Sequence, residues 1–351
     1  MPIEVEAKAN GQRALDKAGA ARALSPQPAM FEIGLNAAIL AVRGNAPQVL
    51  IVRPEAEARG NSDSLPFGPF SPPDHRTLEI GLREWVARQT GLQLGYVEQL
   101  YTFGDRGRHA RPGDTGPHSV SIGYLALTRS ADVQADERGT WRSWYDYFPW
   151  EDWRSGCPAI LAQEIVPRLQ EWAERPRPAA SPKRPIKRTE RIRICFGLDG
   201  AHWDEEKVLE RFELLYEAGL VEEARRDGRE SAEAWPGALP RLGLPMRFDH
   251  RRILATAIGR IRAKIKWRPV VFELMADEFT LFELQRTVEA ILGPHLHKQN
   301  FRRLVESAGL VEPTGEVRSK TGGRPAKLFR FRHEVLLERP SPGVRVKHGR
   351  G

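Results

Sequence analysis

Cysteine is almost missing from this chain. Cys157 and Cys195 are the only two in 351 residues, far apart and outside any CxxC pair, which excludes a disulfide framework and a cysteine-based zinc site. No stretch approaches the roughly 18 to 20 consecutive apolar residues of a membrane span. The opening MPIEVEAKANGQRALDKAG also lacks the apolar core of a secretory signal. A cytoplasmic location with no membrane partner is therefore expected. His109, His118 and His250 fall at no metal-ligand spacing, and the chain has no internal repeat. What remains is 40% hydrophobic and 28% charged, a composition that buries cores, over a length that predicts two domains.

Acidic residues are scarce at one end. From His250 to Gly351 there are 21 Lys and Arg against 10 Asp and Glu, a net +11, which leaves −3 for residues 1–249. A basic segment on a mildly acidic chain suits a surface that neutralises phosphates. A merely solvated basic face is the competing interpretation.

Residues 1–27 are polar and Ala-rich and read as a flexible arm. From residue 28 to 173 the pattern is α+β: a hairpin at 35–42 and 48–52, a helix from Thr77 to Thr90 stopped by Gly91, strands at 96–103 and 119–128, and a helix near 158–173. The stretch 174–190 holds four prolines and six basic residues and reads as a linker. Residues 191–247 read as a helical insert, with Asp204 expected to cap a helix over 203–226.

The last domain is placed at 248–339, followed by a basic tail at 340–351. Leu254, Ile258, Ile261 and Ile265 form one apolar helical stripe, with Arg251, Arg252, Arg260, Arg262, Lys264 and Lys266 around it. Thr280 and Glu283 fit a capping box. Gly293-Pro294-His295 breaks that helix, and a second runs to Gly309, which is the spacing of a helix-turn-helix. Two strands around a Gly-rich basic tip complete a winged helix. Lys298, Gln299, Asn300, Arg302 and Arg303 on the second helix suit base edges and phosphates, and Lys320, Arg324 and Lys327 suit a wing on double-stranded DNA.

The segments FGPF (67–70), the helix to Thr90-Gly91, GYVEQLYTFGDRGR, FDHRRILATAIGRIRAKIKWRPVVFEL and FTLFELQRTVEAILGPHLHKQNFRR carry a family likeness. They resemble the Nudix-related transcriptional regulators of NAD metabolism, in the long alphaproteobacterial form linked to de novo NAD synthesis. The resemblance spans residues 31 to about 332. It implies a Nudix-like mixed α/β sandwich fused through a helical insert to a winged helix-turn-helix, and a homodimer that represses NAD biosynthesis genes.

It further implies an adenine-nucleotide effector, NAD, ADP-ribose or ATP, with no required cofactor. Arg53, Arg106, Arg108 and Arg111 are then expected to meet its diphosphate and Tyr101 and Phe103 its base. In the Nudix box, the glycine-bearing loop and the helix ending at Thr90-Gly91, the family places paired glutamates just before the terminal glycine. Here those positions are Arg88 and Gln89, or Ala87 and Arg88 in the other register, so no metal site, no catalytic residue and no enzyme activity are expected. Two alternatives stay open, an active Nudix pyrophosphatase acting on a nucleoside diphosphate derivative and an RNA-binding Nudix protein. The cluster Trp141, Trp144, Tyr145, Tyr147, Phe148, Trp150 and Trp153 reads as glue between domains or protomers rather than as a base-stacking platform.

Overall fold

A computed structural model describes residues 31–53, 63–105, 118–129, 139–176, 186–235, 237, 240–319 and 325–338. Strands β1 (Phe31–Arg43), β2 (Ala46–Val52), β3 (Phe67–Pro69), β4 (Tyr96–Phe103), β5 (His118–Leu127) and β6 (Gly139–Ser143) form one sheet in the order β4-β5-β1-β2-β6, with β3 paired to β1. The hairpin β1–β2 closes with Arg43 opposite Ala46 across Gly44-Asn45, and Gly44 takes the positive φ of 61° that this tight turn requires.

Alternation along β1 divides the interior. Leu35, Ala37 and Ile39 face helix α1 (Leu78–Thr90) with Leu82 and Val86. Ala38, Leu40 and Val42 face the larger core on the other side. Helix α1 is capped by Thr77, whose hydroxyl accepts the Ile80 N–H at 3.2 Å, and is stopped by Gly91 at φ 72°. Strand β3 crosses it so closely that a Cβ on Gly68 would lie 2.1 Å from the Trp85 ring.

After β6 the chain forms helix α2 (Val166–Glu174), entered through a widened π turn at Leu161–Ile165, and then α3 (Arg188–Phe196) and α4 (Val208–Glu217). Two expectations fail here for local reasons. Arg188, assigned to the linker, is buried and donates to the Trp172 and Arg175 carbonyls. The single helix expected over 203–226 is cut at Gly219 (φ 76°), and Asp204 does not cap α4. Its carboxylate accepts from Glu206 N and Lys207 Nζ one turn earlier.

Helix α5 (His250–Ile265) carries the expected stripe, with Leu254, Ile258, Ile261 and Ile265 all fully buried. It packs most heavily on α4 and also touches the helix at 281–292. It lies across β4 and β5 as the second layer of the sandwich, and Gly123 on β5 lets Ile253 approach to 3.0 Å of a virtual Cβ. The helix thus joins the sheet to the C-terminal elements.

The C-terminal domain follows: β7 (Phe279–Thr280), α6 (Leu281–Leu292), α7 (Lys298–Ser307), β8 (Val311–Arg318) and β9 (Ala326–Phe331), with sheet order β7-β9-β8. The capping box is present as read: Thr280 Oγ1 accepts Glu283 N–H at 3.1 Å and the Glu283 carboxylate accepts Thr280 N–H at 2.7 Å.

Candidate functional site

The first half of the site is helix α7. Phe301 and Val305 are buried against the core and Leu304 is half-buried, while Lys298, Gln299, Asn300, Arg302 and Arg303 are all exposed. An α-helix anchored by one apolar edge necessarily turns its other residues outward, and here that outward set holds three cations and two amides. Lys327 is exposed on β9, whereas Lys320 and Arg324 lie outside the described residues.

The cations of α5 and Lys266 just after it are engaged by carboxylates of the same chain, contrary to what the charge count suggests. Arg251 pairs with Glu223, Arg252 with Glu213 and Asp105, Arg260 and Lys264 with Glu98, Arg262 with Glu151, and Lys266 with Glu205 and Glu206. Every one of those carboxylates comes from the first 249 residues. Much of the −3 and +11 contrast is thus an internal pairing of the two parts of the chain.

Two of these pairs sit in the interior. Glu151 is fully buried and accepts Arg211 Nε at 2.5 Å and Nη2 at 3.0 Å, and Arg262 Nη1 at 2.6 Å. Arg262 Nε then donates to the Ile291 carbonyl at 2.9 Å, near the end of α6, while Tyr145 Oη donates to the neighbouring Ala290 carbonyl at 3.3 Å. The aromatic segment therefore binds the sandwich to the helix-turn-helix, and Trp144, Tyr147, Phe148 and Trp150 are buried in the shared core. Burial, and next the Asp63 carboxylate, push the Tyr147 hydroxyl well above its usual pKa.

The effector-site candidates scatter. Arg53 at the end of β2 is exposed, with Asp63 Oδ1 at 3.5 Å. That carboxylate also receives Tyr147 Oη at 2.7 Å and pairs with Arg142 at 3.1 Å. Tyr101 is 62% exposed on β4 and available for stacking. Phe103 is not. It is 1% exposed, with the Arg252 guanidinium 5.0 Å from its ring centre. A bulge between Gln99 and Thr102 breaks the alternation of β4 and turns both Leu100 and Phe103 inward. Arg106, Arg108 and Arg111 lie outside the described residues. Strands β2 and β4 are separated by β5 and β1, so Arg53 and Tyr101 stand on strands about 14 Å apart.

At the box, Arg88 pairs with Glu84 at 3.0 Å, as the four-residue spacing predicts, and Glu79 pairs with Arg83 at 2.9 Å. Gln89 bonds the backbone of Phe67 on β3. Among the described residues no three His, Cys, Asp or Glu gather as metal ligands, and no helix is long and apolar enough to cross a membrane.

Sequence reading missed one pair altogether. Gln285 and Glu289 on α6 are buried and hold the turn before α7. Burial alone would raise the Glu289 pKa, but the Leu296 N–H, the Gln285 amide and the His295 ring hold it below the usual value. A Gln and a Glu four apart inside an otherwise apolar helix face was the available signal.

Residues 271–331 match the family model of the NrtR DNA-binding winged helix domain. In fold, the described chain is similar to Shewanella oneidensis NrtR, both free and complexed with a 27mer DNA. The TM-score is 0.51 in each case, at 20% and 19% identity, covering 86% of this chain and 95% and 94% of theirs. The chain has the NrtR fold, a Nudix-like sandwich followed by a winged helix. A 91-residue segment, 26% of this chain, is 43% identical to the ADPR responsive transcriptional repressor NtrR of Acinetobacter baylyi, and spans 36% of that relative's length. The NrtR winged-helix match starts at 271, after α5, which agrees with the packing of that helix on the sheet.

Proposed function

We propose that this chain is a transcriptional repressor of NAD biosynthesis genes that binds duplex DNA as a cytoplasmic homodimer. Its Nudix-like domain reads ADP-ribose without hydrolysing it. The observation that carries the proposal is the outward face of α7, with Lys298, Gln299, Asn300, Arg302 and Arg303 exposed on the second helix of a winged helix. Lys327, exposed on β9, is assigned to the wing of this surface, and Lys320 and Arg324 are assigned to the same wing from the sequence alone. The name of the Acinetobacter baylyi relative supports both repression and an ADP-ribose response.

The donor set at the box does not suit a divalent cation. One of the two positions is the cation Arg88, and the other, Gln89, uses its amide on a backbone, whereas magnesium needs free oxygen ligands. Arg53, Arg106, Arg108 and Arg111 take the diphosphate in its place, as arginine does in bidentate anion recognition, and Tyr101 stacks on the base.

The test pairs two measurements. DNA selected from a randomised duplex pool by the full chain is titrated with and without ADP-ribose, NAD and ATP, and the same nucleotides are incubated with protein and magnesium. Sequence selection, an affinity shift with ADP-ribose larger than with NAD or ATP, and intact nucleotides are the expected results. Magnesium-dependent turnover at an ordinary enzymatic rate overturns the sensor reading in favour of a pyrophosphatase. Light scattering of the free chain at a monomer mass overturns the homodimer.

A further inference from the structure

Helix α7 has no side-chain cap of its own: His297 stands at the N-cap position and makes no capping bond. Its entry is held from α6 instead. Glu289 Oε1 accepts the Leu296 N–H at 2.9 Å and the Gln285 amide at 2.8 Å, and that same amide donates to the Leu296 carbonyl at 2.9 Å. Both backbone polar groups of Leu296 are thereby gripped by two side chains one helical turn apart. The other oxygen, Glu289 Oε2, takes His295 Nδ1 at 3.3 Å and Arg286 Nη1 at 3.5 Å. The Leu296 side chain is partly buried against the main core, so backbone and side chain are both held, two positions ahead of Lys298.

We infer that Gln285 and Glu289 are positioning residues for DNA sequence recognition, fixing the rotation and advance of α7 through the backbone of Leu296. Slipping the start of a helix by one residue turns its outward face by about 100° and moves it by about 1.5 Å. Hydrogen bonds to base edges fail over such a displacement, because their distances span only a few tenths of an ångström. Long Lys and Arg side chains still find phosphates. The clamp therefore governs discrimination between sequences rather than general attraction to DNA. This inference rests on the DNA-binding reading above.

The experiment compares two duplexes of equal length, one selected by the unmodified chain and one scrambled, titrated with the full-length protein, Glu289→Gln and Gln285→Met. Glu289→Gln keeps the shape but substitutes a donor for one acceptor. Affinity for the selected duplex is expected to fall about tenfold or more, the scale of losing a charge-assisted hydrogen bond, with the scrambled duplex within about twofold of the unmodified protein. Gln285→Met, which leaves the Glu289–Leu296 bond, is expected to move in the same direction and carries the test if Glu289→Gln does not fold. Folded variants that discriminate as well as the unmodified chain overturn the inference. In the unmodified protein the Leu296 amide is expected to exchange slowly with solvent, and rapid exchange overturns the clamp without any variant. A chain that selects no sequence at all fails the DNA-binding reading first.

Discussion

Gln89 grips Phe67 by both backbone groups: its Nε2 donates to the Phe67 carbonyl at 2.8 Å and its Oε1 accepts the Phe67 N–H at 3.0 Å. The amide serves as donor and acceptor at once, which a carboxylate cannot do. Gln89→Glu faces one of its oxygens with a backbone carbonyl, and unfolding stability is expected to fall by about 1 to 3 kcal/mol. Adding Arg88→Glu places two carboxylates at the box but leaves the strand unclamped. Urea denaturation measures the loss, and ADP-ribose incubated with the double variant and magnesium is expected to survive intact. A double variant as stable as the parent would contradict this account of Gln89.

Buried charge should hold the two domains together. Glu151 is the common acceptor for Arg211 and Arg262, both with side chains at most 1% exposed. Removing one partner leaves the others charged and buried, so Glu151→Ala is expected to cost about 3 to 5 kcal/mol. Because Arg262 also donates to the Ile291 carbonyl, the loss should loosen the winged helix from the sandwich. Limited proteolysis is expected to cut between the two domains of the variant under conditions that spare the parent. Resistance equal to that of the parent would show that packing alone holds this joint.

The pH dependence of stability should contain a contribution from Glu98. Burial acts to raise its pKa, but bonds from Lys264, Tyr96 and Arg260 outweigh it and hold the carboxyl below its usual value. A depressed folded pKa contributes stability that is present above the unfolded carboxylate value of about 4.3 and lost as pH falls through the folded value. Glu98 ties β4 to α5 through Lys264 and Arg260, so Glu98→Gln is expected to be less stable than the parent at neutral pH and to converge with it in acid. Urea midpoints measured across that window check the sign, and a difference that grows in acid would refute it.

What could be read in the sequence was what short-range periodicity and capping determine. The stripe Leu254, Ile258, Ile261 and Ile265 and the Thr280–Glu283 box are set within one or two turns or a little more, and both stand as read. The destination of α5 was not legible, because an apolar stripe says that a face is buried without saying against what. Nor were the partners of its cations, which lie 28 to 166 residues away in sequence for Arg251, Arg260, Arg262 and Lys264. Phe103 illustrates the limit at the candidate site. Strand alternation gives Tyr101 and Phe103 one face, and only the bulge in the pairing with β5 separates the exposed ring from the buried one.

Phosphate attraction and base reading should fall to different residues of α7. Arg302 and Arg303 are exposed, and neither forms an intramolecular ion pair among the described residues. In the DNA-binding reading each is free to displace counterions from a phosphate. The slope of log K against log salt then falls in magnitude by about 0.9 for each phosphate that is no longer neutralised. Arg302→Ala with Arg303→Ala is expected to flatten the slope by the equivalent of about two phosphates per protomer, and to weaken the selected and scrambled duplexes alike. Gln299→Ala is expected to behave differently, since an amide suits the edge of adenine and releases no counterion. It should leave the slope unchanged and weaken the selected duplex only. Measuring the parent and both variants over a salt series on both duplexes decides between these roles. A salt-independent affinity, or equal behaviour of the arginine and glutamine variants, would remove α7 from the interface.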